Sequence, residues 1–278
     1  MNSETAPGGG VGRLLIIGGR EDKEGEREIL RRLVEIVDGR RMVLVTLAST
    51  EGDAQWGEYR EVFRDLGLTN LVRLHAETRE ELMDGHADKA LEGAQGVFFT
   101  GGDQLKITAL LGGSPTDRRI HEIHRAGGVI AGTSAGASAM CDTMLVAGKG
   151  NQSSKTRGSV MMAPGLALIR TAIIDQHFAE RGRIGRLLAA VAENPRLIGI
   201  GIDENTAILV EGNRTFEVIG EGAVYVVDGT QITSTNISEA DLDHTLFAFG
   251  MRLHLLGRGC RYDLESNRPS ELESHSSE

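Results

Sequence analysis

The stretch VIAGTSAGASA, residues 129–139, is an apolar run that passes through a glycine-flanked turn into small, helix-favouring residues. This order is typical of a nucleophile elbow, in which a strand ends in a sharp turn and a helix begins at once. Gly132 and Gly136 leave room for the strained turn, and Ser134 between them would lie at a helix N-terminus that favours a developing oxyanion. We therefore predict that Ser134 is a nucleophile; the alternative is that Thr133 or Ser134 only caps the helix.

Outward from this stretch, apolar runs alternate with amphipathic segments. The apolar runs before it are residues 13–19, 42–47, 72–75 and 96–100, and the segments with helical spacing between them are residues 24–37, 55–66 and 80–91. The alternation predicts an α/β fold with a doubly wound, mostly parallel sheet flanked by helices. Beyond residue 166, short strands separated by Glu-Gly-Asn and Asp-Gly turns predict antiparallel hairpins added in the C-terminal half.

The composition bounds the class of protein. With 278 residues, 40% of them hydrophobic and 25% charged, the chain is predicted to form one catalytic α/β domain over residues 12–261. Residues 1–11 are predicted to be a flexible N-terminus, and residues 262–278, which contain almost nothing to bury, a disordered tail. Cys141 and Cys260 are far apart in sequence, so we expect neither a disulfide framework nor a zinc site.

The charge and the hydropathy exclude two kinds of partner. A formal net charge of −10 argues against nonspecific binding to nucleic acid. No apolar run approaches the roughly 20 residues that span a bilayer, so we expect no membrane partner. Because the first residues also lack the basic start and the apolar stretch of a secretory signal, we predict a cytoplasmic protein.

A nucleophilic serine needs a base, and the chain contains eight histidines. His177 follows the apolar run in AIIDQHF (172–178), and side chains at such a strand end reach the sheet edge where α/β proteins build their sites. His121 and His124 are three residues apart on a predicted helix with no further metal ligand nearby, so we expect them at the surface. His177 is therefore the predicted base.

Three carboxyl groups are candidates for the acid that orients the histidine. Asp203 and Glu204 follow the apolar run LIGIGI (197–202), and a strand that alternates its faces can point only one of them inward. Asp175 lies two residues before His177, on the same strand face. If Glu204 is the acid, the order serine, histidine, acid differs from that of ordinary α/β-hydrolases, in which the acid precedes the histidine.

Four motifs occur in one order: FTGGDQ (99–104), GTSAGA (132–137), DQHF followed by RGRIGR (175–186) and GIGIDENTA (199–207). Together they resemble the cyanophycinase family, serine peptidases that also include the α-aspartyl dipeptidase called peptidase E, over residues 12–228. The resemblance implies a class I glutamine amidotransferase-like fold. It also implies a triad of Ser134, His177 and Glu204 that works without a metal or an organic cofactor.

The resemblance further implies what the enzyme cleaves. The expected substrate is cyanophycin, a polyaspartate that carries arginine on its β-carboxyl groups, and a serine exopeptidase would release β-Asp-Arg dipeptides from it through an acyl-enzyme. The pocket is expected to contain Gln104, Asp175, Gln176, Arg181, Arg183 and Arg186. Arginine side chains suit the carboxylates of such a polymer, and Asp175 suits its guanidinium groups. Without the resemblance, Arg183 and Arg186 would be interpreted as a solvated helix face.

The oxyanion hole and the activity both leave alternatives open. The amide of Gly101 or Gly102 is expected to join that of Ala135 in the hole, or the same turn only begins a helix capped by Asp103. Residues 148–158 are predicted to be an exposed connection or a loop over the site. A peptidase E-like dipeptidase and a catalytically silent binding protein are the alternative functions, and the resemblance makes a homodimer the expected assembly.

Overall fold

The computed structural model describes residues 11–85, 87–148, 160–238 and 245–271. The strands are β1 (Arg13–Ile17), β2 (Arg41–Val45), β3 (Leu71–Leu74), β4 (Ala94–Phe99), β5 (Val129–Thr133), β6 (Thr143–Gly148), β7 (Val160–Pro164), β8 (Ala172–Gln176), β9 (Ile198–Ile202), β10 (Thr206–Glu211), β11 (Thr215–Gly220), β12 (Val224–Asp228), β13 (Ser234–Thr235), β14 (Ala248–Phe249), β15 (Arg252–Leu256), β16 (Cys260–Asp263) and β17 (Arg268–Glu271). The helices are α1 (Glu28–Val37), α2 (Gly52–Asp65), α3 (Glu80–Met83), α4 (Asp88–Leu91), α5 (Gln104–Leu111), α6 (Pro115–Arg125), α7 (Ala135–Ala139) and α8 (Ile184–Glu193).

The first five strands form the parallel half of a nine-stranded sheet, in the order β3-β2-β4-β5-β1. Alternate residues of β1 enter opposite cores: Leu14 and Ile16 pack in one buried cluster, and Leu15 and Ile17 pack in another. Burial on both faces explains why these runs are continuously apolar. The predicted α/β fold with a large, mostly parallel sheet and helices is confirmed.

The C-terminal half adds antiparallel strands, as predicted. β10 pairs antiparallel with β1, and the sheet continues through β11, β16 and β17. A second sheet has the order β15-β12-β9-β8, in which β8 and β9 are parallel and the other pairs are antiparallel. The sequence did not indicate this separate sheet. Ile174 of β8 and Ile200 of β9 pack in the same buried cluster as Leu14, so the two sheets share a core.

The expectation of a disordered tail from residue 262 onward is wrong for residues 262–271. β16 and β17 form a hairpin at the edge of the central sheet, and Tyr262 is fully buried against Phe216, with ring centroids 5.5 Å apart. Composition misled because one aromatic ring and Leu264 suffice to anchor a stretch that is otherwise polar. Outside the described residues lie 1–10 of the predicted N-terminus, 149–158 of the predicted connection and 272–278 of the predicted tail.

Three smaller expectations also differ from the structure. The helix predicted over residues 80–91 consists of α3 and α4, each four residues long. The strand predicted from residue 166 begins at Ala172. His124 is buried and not at the surface, and its carbonyl oxygen accepts from the N–H of Gly12 at 2.8 Å. None of the described helices combines the length and the apolarity that crossing a membrane requires.

Candidate active site

Ser134 occupies the junction of β5 and α7, where the nucleophile elbow is predicted. Its backbone has φ 53° and ψ −112°, and a conformation of this kind costs a non-glycine residue about 1–3 kcal/mol. A Cβ atom on Gly132 would lie 2.7 Å from the carbonyl carbon of Gly136, and one on Gly136 would lie 2.5 Å from the carbonyl oxygen of Phe99. Within this fully described turn, the Ser134 side chain makes no capping bond to α7. The Ser134 hydroxyl therefore does not cap α7 and can bond to groups outside the turn.

The hydroxyl of Ser134 lies against the imidazole of His177. The distance from Oγ to Nε2 is 2.9 Å, and Nδ1 of His177 is 2.6 Å from Oε1 of Glu204. With its proton on Nδ1, the imidazole donates to Glu204, and its Nε2 accepts from the serine hydroxyl. In this geometry a histidine can act as a general base toward serine while a carboxylate holds its tautomer.

The loop after β1 fixes His177. The histidine backbone is left-handed, with φ 49°, and its N–H donates to the carbonyl oxygen of Gly18 at 2.8 Å. Gly19, with φ 109°, lies against the ring: a Cβ atom there would be 2.3 Å from Cε1 and 2.6 Å from Nε2 of His177. The position of the imidazole therefore depends on glycine at position 19.

Burial controls the charge of this imidazole. Desolvation lowers the pKa of His177, and the hydrogen bond to Glu204 opposes that shift in part. The positive charges of Arg181 and Arg183 also lower the pKa of His177. Only the neutral imidazole can take a proton from a hydroxyl, so this environment favours the form that a general base needs.

The three candidate acids have different contacts. Glu204 reaches Nδ1 of the imidazole, whereas Asp203 accepts from the N–H groups of Ala179 at 2.9 Å and Ala223 at 3.1 Å. Asp203 therefore fastens the segments after β8 and before β12, and its burial raises the pKa of its carboxyl group. Asp175 bonds to arginine side chains. Among the three, Glu204 is thus the acid that contacts the histidine.

The outer oxygen of Glu204 meets a cation that sequence reasoning missed. Nη1 of Arg20 is 3.3 Å from Oε2 of Glu204, and the Arg20 side chain is 76% exposed. Arg20 has a left-handed backbone with φ 46°, and so has Asn205, with φ 47°. Because the guanidinium is solvated, this ion pair is a weak contact.

Gly101 and Ala135 flank the serine hydroxyl. A Cβ atom on Gly101 would be 3.9 Å from Oγ of Ser134, and Ala135 begins α7, so that its N–H lacks an intrahelical partner. Gly102 packs on Ala48 instead, because a Cβ atom on Gly102 would lie 2.3 Å from the Ala48 carbonyl oxygen. Of the two candidate glycines, Gly101 is therefore the one beside the Ser134 hydroxyl.

The same turn begins α5. Asp103 caps this helix, with Oδ1 accepting from the N–H of Leu105 at 2.8 Å. Gln104, a predicted pocket residue, donates from Nε2 to the carbonyl oxygens of Leu145 and Val146, both at 3.3 Å. Asp103 thus caps α5, which is the alternative considered from the sequence, and Gln104 links α5 to β6.

Three predicted pocket residues, Asp175, Arg183 and Arg186, form a buried cluster with one another. Asp175 is 0% exposed, and its Oδ2 accepts from Nε of Arg186 at 2.6 Å. Its Oδ1 accepts from Nη2 of Arg186, from Nη1 of Arg183 at 3.2 Å and from the N–H of Gln176 at 2.9 Å. In this structure the chain's own guanidinium groups bond to the Asp175 carboxylate, and the expected contact of Asp175 with a substrate guanidinium stays a prediction. The same bonds exclude a solvated face for the two arginines.

Arg183 connects this cluster to Gln176. Its Nη1 contacts the carbonyl oxygen of Gln176 and is 3.1 Å from Oε1 of the same residue. Burial lowers the pKa of Arg183 to about 10, although the charge of Asp175 opposes this shift. Arg181 is exposed and donates its N–H to the carbonyl oxygen of His177 at 3.2 Å. Among the six predicted pocket residues, Arg181 is the one whose side chain is most accessible to a ligand.

A buried carboxylate that sequence reasoning also missed, Glu21, bonds to the residue that precedes Ser134. Glu21 is 4% exposed; its Oε2 accepts from Oγ1 of Thr133 at 2.5 Å, and its Oε1 accepts from the hydroxyl of Tyr59. Burial and the charge of Glu21 raise the pKa of Tyr59 well above its ordinary value, so this hydroxyl remains a donor. The one signal in the sequence was that Glu21 is a charged residue shortly after the first buried strand in the chain.

Among the described residues we find neither a metal-binding cluster nor a reactive thiol. There, no three His, Cys, Asp or Glu side chains are placed to hold a metal ion. Cys141 and Cys260 are unpaired, and burial raises the pKa of the Cys141 thiol to about 12, so this thiol is inert.

Known proteins resemble the chain over most of its length. A cyanophycinase of Nostoc sp. is 39% identical over 254 residues, which cover 90% of this chain and 85% of the relative. A cyanophycinase of Geminocystis herdmanii is 36% identical over 259 residues, which cover 92% of this chain and 95% of the relative. The solved structure of a peptidase from an acI-B1 Actinobacterium has a TM-score of 0.61 at 20% identity, covers 90% of this chain and 98% of that one, and shares the fold. Because residues 14–218 match peptidase family S51, the chain belongs to peptidase family S51 and is a serine-type peptidase.

Proposed function

We propose that this chain is a serine exopeptidase that degrades cyanophycin, with Ser134, His177 and Glu204 as its catalytic triad. The observation that carries the proposal is the continuous contact from Oγ of Ser134 through the imidazole to Glu204, at 2.9 and 2.6 Å. The two relatives named cyanophycinase, at 39% and 36% identity, support the choice of substrate.

The proposed reaction is acyl transfer. Oγ of Ser134 attacks the carbonyl carbon of the scissile peptide bond while Nε2 of His177 takes the hydroxyl proton, and the amides of Gly101 and Ala135 donate to the oxyanion. The carbon–nitrogen bond breaks as the imidazolium gives its proton to the leaving amine. Water then attacks the acyl ester, the imidazole takes the water proton, and that proton returns to Oγ as the acid product leaves.

The accessible groups near the triad fit an acidic and basic polymer. Arg181 offers a planar, bidentate partner for a substrate carboxylate, and the half-buried Gln104 offers a hydrogen bond. Asp175 and Arg186 contribute indirectly, because they hold Arg183 and Gln176 in place. This arrangement supports a β-Asp-Arg unit as the group that is bound and released.

One incubation tests the substrate. The purified protein is mixed with cyanophycin and, separately, with Asp-X dipeptides, and the products are identified by mass and linkage. Release of β-Asp-Arg supports the proposal. Free aspartate from dipeptides alone would identify a peptidase E-like enzyme, and no cleavage of either would favour a catalytically silent binding protein.

Replacement of Ser134 with alanine tests the nucleophile. We expect Ser134→Ala to lower kcat by a factor on the order of 10⁶, as when a serine nucleophile is removed elsewhere, with the thermal melting curve unchanged. Retained turnover of cyanophycin in this variant would refute the serine mechanism.

A cytoplasmic homodimer completes the proposal. Both cysteines are unpaired, as is usual in a reducing compartment. Leu253 and Leu255, on the edge strand β15, are 55% and 65% exposed, and apolar surface of this kind suits a second copy of the chain. Analytical ultracentrifugation at micromolar concentration tests the assembly, and a single monomeric species would contradict it.

A further inference from the structure

The end of β1 and the turn after it hold the backbone at or beside each residue of the proposed triad. Successive carbonyl groups of residues 17–19 accept backbone hydrogen bonds from Ser134 at 3.1 Å, from His177 at 2.8 Å and from Asn205 at 2.9 Å. Asn205 directly follows Glu204. The backbone of the nucleophile, of the base and of the residue next to the acid is therefore held by one short segment.

Glu21 extends this contact to the other side of the nucleophile. Its Oε2 accepts from the hydroxyl of Thr133 at 2.5 Å, and Thr133 directly precedes the strained Ser134. A strained backbone conformation persists only where the surrounding structure fixes it. Ser134 is fixed through its own N–H at 3.1 Å to Ile17, and the residue before it is fixed by Glu21.

The carboxylate of Glu21 is itself held in one orientation. It is 4% exposed, and Tyr59 donates to the oxygen that Thr133 does not use. A buried carboxyl group costs stability unless its oxygens are bonded, and here both oxygens are bonded to hydroxyl groups. A buried acid kept directly behind a nucleophile is more consistent with a role in the site than with stability alone.

We propose that Glu21 is a positioning residue that fixes the nucleophile turn through the hydroxyl of Thr133. The proposal rests on the proposed function of Ser134 as the nucleophile. Glu21 acts on the distance and direction between Oγ of Ser134 and Nε2 of His177, and it does so through Thr133. Loss of either hydrogen-bonding partner should therefore have the same effect on the reactivity of Ser134.

The test measures how fast a fluorophosphonate labels Ser134, which requires no cyanophycin. We expect Glu21→Met, which removes both oxygens at similar size, and Thr133→Val each to slow labelling by a factor on the order of ten to a hundred, because displacements near 1 Å cost up to about a hundredfold. The double variant should be no slower than either single variant, since both remove one contact. Thr133→Ser, which keeps the hydroxyl, should label at the wild-type rate.

Thr116→Val is the matched control. Thr116 lies in α6 and is also buried. Its hydroxyl donates to the carbonyl oxygen of Leu82 in α3 at 3.2 Å. This control should lose thermal stability as Thr133→Val does, while its labelling rate stays within about twofold of wild type, since the Thr116 hydroxyl bonds to Leu82 and not to a residue of the site.

Two results would overturn the proposal. Wild-type labelling rates in Glu21→Met and Thr133→Val would show that the contact does not position the serine. Losses that multiply in the double variant would show that the two residues act separately. Failure of the proposed function is seen in a different measurement, namely wild-type protein that is labelled at Ser134 but leaves cyanophycin uncut.

Discussion

Asp175 and His177 lie two residues apart at the end of β8, yet their surroundings are opposite. Asp175 is 0% exposed and both of its oxygens bind the chain's own arginines. The imidazole of His177 is bonded on one side to Glu204 and contacts the hydroxyl of Ser134 on the other. Both oxygens of the first group bond to cations of the chain, whereas the second group is held on one side by a carboxylate and contacts the Ser134 hydroxyl on the other.

The comparison separates two uses of charge within one strand end. A buried carboxylate with guanidinium partners gains little net stability, but removing one partner leaves an uncompensated charge and is strongly destabilising. A histidine beside a partly exposed carboxylate contributes less to folding, and its value lies in the proton that it can move. Variants in the two clusters should therefore fail in different measurements.

Among the variants that test this comparison, Glu204→Gln is expected to have the largest effect. Glutamine does not hold the imidazole tautomer as a carboxylate does, and the equivalent change in a serine protease triad lowers kcat by about 10⁴. Cyanophycin turnover measures the loss, and the melting temperature should change little, because glutamine has nearly the size and shape of glutamate and its oxygen can still accept from Nδ1 of His177. A loss of less than about tenfold would mean that Glu204 does not orient the histidine.

Asp175→Asn should lower the stability of the fold more than it changes the catalytic groups. We expect a loss of about 3–5 kcal/mol in the free energy of unfolding, measured by urea titration, because Arg183 and Arg186 lose their buried counter-charge. Asp53→Asn is the matched control, since Asp53 meets Arg73 at 2.6 Å but has a side chain that is 95% exposed. Its unfolding midpoint should not move. Normal stability with lost turnover in Asp175→Asn would show that this buried cluster serves the reaction and not the fold.

The pH profile sharpens the reactive side of the comparison. Because burial lowers the pKa of His177 and the protonated imidazole cannot accept a proton, the acid limb of kcat/KM should have its midpoint below the ordinary histidine value of 6.5. Arg181→Gln should move this midpoint upward, since the charge of Arg181 lowers the pKa of His177. A wild-type midpoint above 6.5 would contradict the burial argument.

Arg20→Ala should have the smallest effect. The ion pair with Glu204 is exposed, and such pairs contribute at most about 1 kcal/mol, so kcat should fall by less than about fivefold. The difference from wild type should vanish in 1 M salt, where charges more than roughly 3 Å apart are screened. A loss as large as that of Glu204→Gln would place Arg20 among the groups that contact substrate.

The local geometry of the nucleophile turn could be predicted because it depends on adjacent residues. Small residues around Ser134 and the apolar run before it specify strand, turn and helix within about ten positions. The α/β core followed from the same kind of local pattern. The pairing of Ser134 with His177 could be predicted because each follows an apolar strand, although the two strands belong to different sheets. The choice of Glu204 over Asp203 and Asp175 required the order of motifs.

The buried contacts could not be predicted because they depend on packing between distant segments. Thr133 and Glu21 are 112 positions apart, and the bond between Asp175 and Arg186 requires α8 to fold back on β8. The spacing of Arg183 and Arg186 predicts a helix, but it does not indicate which groups that helix packs against. The hairpin of β16 and β17 was missed for the same reason, because Tyr262 finds its partner Phe216 on another strand.

Gly19 has a consequence for how activity would be lost in evolution. Every glycine codon is one nucleotide from alanine, and a methyl group at this position would overlap the imidazole, at 2.3 Å from Cε1 of His177. A relative could thus retain the serine, the histidine and the glutamate and still be inactive. Genome surveys that assign this peptidase activity from the three side chains alone would count such proteins as enzymes, so the residue that faces the ring has to be checked as well.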